Sequence, residues 1–270
     1  MSARSPDPDR VTIAFGEGGV AHVRLARPDK LNALDDAMLD ALVAAGERLA
    51  SASGLRAVVL AGEGRGFCAG LDLQGLASGG PDGARSLAER THGNANRFQQ
   101  AALAWRALPV PVIAAIHGPC FGGGLQIASG ADIRIVAPDA RLAIRETEWG
   151  LVPDMGGYAL WRGLVRDDVL RELIYTAREF SGEEALALGF ATHIDPSPLE
   201  RAAAIASAIA AHSPDAIRAA KDLANRAADL ALDAILLAES EAQQRLVFSK
   251  NQLEAVASRL ERRSPRFEDR

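Results

Sequence analysis

The sequence predicts an α/β core that ends in a helical C-terminal region. Short, largely apolar runs of strand character alternate with helical patterns through the first part of the chain. From Tyr158 onward the pattern is almost wholly helical. Strands alternating with helices, then helices alone, argue this class of fold.

The elements follow in chain order. Val11, Ile13 and Phe15 alternate with polar or small residues, Glu17-Gly18-Gly19 intervenes, and residues 20–25 return, which reads as a β-hairpin. Asp35 and Asp36 precede a helical pattern of Met38, Leu39, Leu42 and Leu49, as acidic residues suit a helix start. Residues 56–61 and 112–116 are short apolar runs, expected of strands covered on both faces. A Gly/Pro/Ser loop at 78–82 leads into a polar helical stretch ending near Leu108. Gly122, Gly123 and Gly124 lead into another helix, residues 133–136 and 142–144 supply two more strands, and the Ala-rich stretches 199–211 and 215–230 are helical.

Composition narrows the functional classes. Of 270 residues, 48% are hydrophobic and 24% charged, ordinary for a globular chain, and the net charge of −5 disfavours nucleic acid as a partner. Cys68 and Cys120 lie far apart and form no CxxC pattern, so no metal site is expected. The first ten residues, rich in Pro, Asp and Arg, lack the apolar core of a signal peptide, and no run has the length of a membrane helix. A cytoplasmic protein without a membrane partner is expected.

Two glycine loops share a physical design. Residues 66–73 follow one buried strand, and residues 117–125 follow another. Glycine lets backbone approach a ligand closely, and amides at a helix start lack intrahelical acceptors. Two such amides converging on one oxygen would make an oxyanion hole. The alternative is a pair of tight turns. Neither loop reads GxGxxG, and residues 62–67 lack the Gly-Lys-Ser/Thr ending of a phosphate loop.

The residues Arg27-Pro28-Asp29-Lys30-Leu31-Asn32-Ala33-Leu34, the loop Phe67-Cys68-Ala69-Gly70-Leu71-Asp72-Leu73, the Gly122-Gly123-Gly124 loop and Gly150-Leu151-Val152-Pro153 together resemble the crotonase (enoyl-CoA hydratase/isomerase) superfamily. The stretch 176–189 and the tail residues Pro265 and Phe267 are similar to the family as well. The resemblance implies a spiral of ββα units with a helical C-terminal trimerisation region: a tail at 1–10, a core at 11–200 and an oligomerisation region at 201–270. It implies a homotrimer or dimer of trimers, an acyl-CoA substrate, and no cofactor beyond the coenzyme A of that substrate. The oxyanion amides fall on Leu71 and Gly123. The binding segments fall on Lys30, Leu31 and Ala33, on Ala69, Gly70, Asp72 and Leu73, and on Gly122 and Gln126.

The family's hydratases use two glutamates. Here their positions hold Gln126 and Glu146. A glutamine cannot act as an acid or base near neutral pH, which disfavours hydration. Moving a double bond requires only that one carboxylate carry a proton from C2 to C4, and Glu146 matches that role. Asp154 resembles the catalytic aspartate of the dienoyl-CoA isomerases, although the acidic residue those enzymes have at position 126 is absent. Asp154 serves equally as a cap for the helix at Tyr158. The expectation is an isomerase; the alternatives are a hydratase that tolerates Gln126 and a non-catalytic acyl-CoA-binding protein. Glu148 is a reserve carboxylate if residues 146–148 are extended. His117 and Cys68 read as structural, and Arg65, Lys30 and Lys250 as candidate phosphate partners. Ala255, where the family has glycine, marks a departure in the tail.

Overall fold

The computed structural model describes residues 10–72 and 87–269. Leu73, the loop expected at 78–82 and most of the first ten residues lie outside the described residues.

A hairpin opens the chain. Strands β1 (Val11–Phe15) and β2 (Val20–Leu25) pair antiparallel with Val11 opposite Leu25. Gly19 at the turn has φ +78°, and a Cβ there would stand 2.2 Å from the Gly54 carbonyl oxygen, so glycine is required. Helix α1 (Asp36–Ala50) starts at Asp35, whose carboxylate accepts from the Met38 amide. It leads to β3 (Ala57–Gly62), which runs parallel to β2. Helix α2 (Arg97–Ala107) is closed by a reciprocal Asn96–Gln99 cap and precedes β4 (Val112–Ile116), parallel to β3. Among the described residues, the helical stretch expected before Leu108 begins at Arg97.

Next come β5 (Pro119–Phe121), α3 (Gly123–Ser129), β6 (Ile133–Val136) and β7 (Arg141–Ala143). Beyond these lie α4 (Gly157–Trp161), α5 (Asp167–Thr176), β8 (Phe180–Ser181), α6 (Gly182–Leu188) and β9 (His193–Ile194). Two sheets result. One has the order β1-β2-β3-β4-β6-β9 and is parallel after the opening hairpin; the other has the order β5-β7-β8. Strand β7 lies one residue earlier than expected, and β8 and β9 interrupt the region that reads as helical.

The central strands β3 and β4 are covered on both faces, which is why they read as unbroken apolar runs. Alternate residues Val58, Leu60, Val112 and Ala114 pack with Met38, Leu42, Ala101 and Trp105 of α1 and α2. The others, Ala57, Val59, Ile113 and Ala115, pack with Ala202 and Ala206 of α7 (Pro198–Ala210). The boundary expected at residue 200 therefore falls inside a helix that belongs to the core.

Helices α8 (Pro214–Ala227), α9 (Leu232–Leu246) and α10 (Lys250–Leu260) complete the fold. Lys221 fastens α8 to the core. Its ammonium donates to the carbonyls of Trp105 and Val110 and to Asp132 Oδ2, the last at 2.8 Å. No helix of the described residues is long and apolar enough to cross a membrane.

Candidate active site

Three segments from separate parts of the chain lie side by side. The Leu34 amide donates to the Gly70 carbonyl at 2.8 Å, Ala69 donates to Leu31, and Asp72 donates to Leu34. On the other flank Phe67 donates to His117, Cys68 to Pro119, and Phe121 to Cys68. Residues 67–72 are thus held between residues 31–34 and the β5 strand.

Asn32 locks this arrangement. It is fully buried with φ +57°, and its side-chain amide donates to the carbonyls of Glu63, Gly66 and Phe67 while its oxygen accepts from the Arg27 amide. Arg27 in turn donates to the Ala33 carbonyl and to Asp72, 2.8 Å away. The Asp72 carboxylate therefore helps hold the loop. Neither Asn32 nor Arg27 was among the expected site residues. The available signal was an asparagine in a short polar turn, the residue type that most readily accepts a left-handed backbone after glycine.

The two glycine loops touch. Gly70 has φ +86°, and a Cβ on it would stand 2.8 Å from the Phe121 carbonyl oxygen and 3.7 Å from the Gly123 nitrogen. Gly123 opens α3, so its amide has no acceptor within the helix. A Cβ on Gly123 would collide with Met155 Sδ at 2.7 Å and Leu34 Cδ1 at 2.8 Å. Leu71 sits opposite Leu34 in an isolated parallel bridge. The structure brings Leu31, Ala33, Ala69, Gly70, Leu71 and Asp72 into one group that adjoins Gly122 and Gly123. Lys30 is exposed at the edge of that group, in a turn that closes over residues 28–30.

Glu146 reaches the same place from the opposite side. A Cβ on Gly122 would stand 3.3 Å from Glu146 Oε1. That oxygen accepts from Gln126 Nε2 at 2.6 Å, while Oε2 is buried without a hydrogen-bond partner among the described residues. Burial pushes the Glu146 pKa up, and the Asp154 charge adds to this; its own backbone amide, Gln126 and the Arg145 amide oppose it. Burial also raises the pKa of Asp154, against its own backbone amide. Two carboxyl groups with raised pKa values thus stand near enough for the charge of one to act on the other.

Several expectations change here. Gln126, expected against the substrate, is fully buried and engaged with Glu146 on one side and the amides of Met155 and Gly157 on the other. Asp154 does not cap α4: Gly156 occupies the cap position, and no side chain bonds there. Residues 146–149 form a 3-10 turn, so Glu148 does not share a face with Glu146; it points toward Arg145 instead. The His117 ring is hydrogen-bonded to the Gly64 carbonyl. The Cys68 thiol donates to the Asn32 carbonyl, and burial pushes its pKa up to about 12. Lys250 pairs with Glu268 on the tail. Behind the second loop, the Arg145 guanidinium stacks 4.3 Å from the Phe121 ring and pairs with Glu179.

Residues 16–270 match the family described as enoyl-CoA hydratase/isomerase. The chain belongs to that family. Within it, the chain is 34% identical over 222 residues to the mitochondrial Delta(3,5)-Delta(2,4)-dienoyl-CoA isomerase of Rattus norvegicus, covering 79% of this chain and 68% of that one. It is 34% identical over 251 residues to a Mycobacterium bovis protein named Probable enoyl-CoA hydratase echA6, covering 92% and 96%. The crystal structure of an enoyl-CoA hydratase from Bacillus anthracis superposes with a TM-score of 0.88 at 29% identity, over 96% of this chain and 98% of that one. This enoyl-CoA hydratase/isomerase family member therefore has relatives carrying both kinds of name, and the crotonase-type fold is shared.

Proposed function

We propose that the chain shifts a double bond of an enoyl- or dienoyl-CoA, with Glu146 as the proton shuttle and the amides of Leu71 and Gly123 holding the thioester oxygen. The observation that carries this reading is Glu146 itself. It is a carboxyl group with one oxygen fixed by Gln126 and the other buried and unpartnered, next to the loops whose backbone donors match the family's oxyanion pair.

The chemistry balances with one base. Ionised Glu146 takes a proton from C2 of a 3-enoyl thioester, and the electrons move onto the thioester oxygen as a dienolate. Hydrogen-bond donors aimed at that oxygen stabilise the charge as it develops, and removal of one typically costs about 3 kcal/mol. Return of the proton to C4 gives the 2-enoyl product and regenerates the carboxylate. For a 3,5-dienoyl substrate the negative charge extends further along the chain, and Asp154 supplies a second carboxyl group there. Lys30, Leu31, Ala33, Ala69, Gly70 and Gly122 line the thioester and coenzyme A path in this reading.

Water addition is less well supported. It calls for a second acid or base, and the Gln126 oxygen is already taken by two backbone amides. The test is to incubate purified protein with 3-enoyl-, 2-enoyl- and 3,5-dienoyl-CoA and follow mass and absorbance. Isomeric products of unchanged mass are expected. Gain of the mass of water from the 2-enoyl substrate alone would establish a hydratase instead.

A further inference from the structure

Gln126 stands where the family's hydratases carry an acid, and its contacts show a different use. Its oxygen accepts from the Met155 amide at 2.9 Å and the Gly157 amide at 3.0 Å. Both partners are obligate donors, so the oxygen must face them, and the NH2 group must face Glu146. That orientation gives a charge-assisted bond to Oε1 and leaves Oε2 as the oxygen without a partner. The turn is built to receive the side chain. A Cβ on Gly157 would stand 2.8 Å from the Gln126 oxygen and 2.6 Å from the Trp161 ring.

We propose that Gln126 is a positioning residue for the proton shuttle: one buried amide group presents a single oxygen of Glu146 for reaction and ties it to the turn that bears Asp154. The proposal rests on the isomerase reading only for its consequence in turnover. Its physical content, that the position and proton affinity of Glu146 depend on Gln126, stands without any substrate. A carboxylate at this position would lack the donor unless protonated, and an apolar residue would strand two buried amides and the Glu146 oxygen together. Asp154 is the other charged group acting on Glu146, and it raises the proton affinity that Gln126 lowers.

The test is a titration of Glu146 by carbon-13 NMR on protein labelled at the glutamate carboxyl carbons, with Glu146→Gln supplying the assignment. In Gln126→Met the Glu146 midpoint moves up, because the donor that favours the anion is gone. In Gln126→Glu, which keeps an acceptor for Met155 and Gly157, two coupled steps replace one. In turnover, Gln126→Met lowers kcat about tenfold with KM within about twofold, the split expected of a residue acting on the reacting group. If Gln126→Met unfolds, the glutamate variant alone decides the matter. A Glu146 midpoint unmoved in a folded Gln126→Met, or a single unshifted step in Gln126→Glu, overturns the proposal. A moved midpoint in a protein that isomerises no enoyl-CoA would uphold the positioning role and reject the isomerase reading.

Discussion

Burial makes the charged form of Glu146 costly to the folded state. Its pKa is raised first by burial, so between the unfolded and folded values the native state holds more protons than the unfolded chain. Stability therefore falls as pH rises through that window and stays lower above it. Glu146→Gln is expected to melt higher than the parent at neutral pH, and the gap should close in acid, below the ordinary carboxylate range. Thermal melts across pH check this, and a variant less stable at neutral pH would contradict it. Asp154 gives a second prediction at this scale. Its charge raises the Glu146 pKa, so Asp154→Asn should move the acid limb of the pH–rate profile to lower pH. An unmoved limb would show that the two carboxyl groups do not sense each other.

At the scale of elements, the site is three backbone segments locked by one side chain. Asn32→Ala would strand the carbonyls of Glu63, Gly66 and Phe67, although all four residues lie in loops. Losing this buried network should cost about 2–4 kcal/mol, measured by denaturant unfolding, with the oxyanion loop as the first region to lose protection from hydrogen exchange. Gly122→Ala is expected to fold less readily and to lose at least about tenfold in kcat, because φ there is +49° and its Cβ would press on the Glu146 carboxylate. These elements differ in how legible they were. Strands β3 and β4 were readable because burial on both faces leaves no polar position. Strands β5, β8 and β9 span three, two and two residues, too short for any period to register. The Glu148 expectation failed because Glu146 begins a 3-10 turn closed by Gly150 at φ +70°, and a two-residue spacing says nothing about which local conformation holds it. The position of Glu146 was legible through motif resemblance. The Gln126 contacts were not, since they join residues 126, 146, 155 and 157 only once α3 and the 154–157 turn have packed together.

At the scale of the whole molecule, the C-terminal helices remain underburied. Alpha-helices α9 and α10 bury few residues, whereas Leu232, Leu237, Phe248 and Leu260 are each more than half exposed. An apolar surface of this kind favours association. We expect light scattering to give a mass that is a multiple of three chains, and Phe248→Asp with Leu260→Asp to reduce it without lowering the melting temperature of the separated chain by more than a few degrees. A monomer at micromolar concentration would contradict the expectation. The role proposed for Glu146 belongs to the intact chain. The most direct test uses a 3-enoyl-CoA deuterated at C2, with the product's isotope pattern read by mass spectrometry. If one carboxyl group carries the proton, some 2-enoyl product retains the label at C4, and Glu146→Gln slows isomerisation by at least about a hundredfold. Isomerisation at the parental rate in Glu146→Gln would contradict the account.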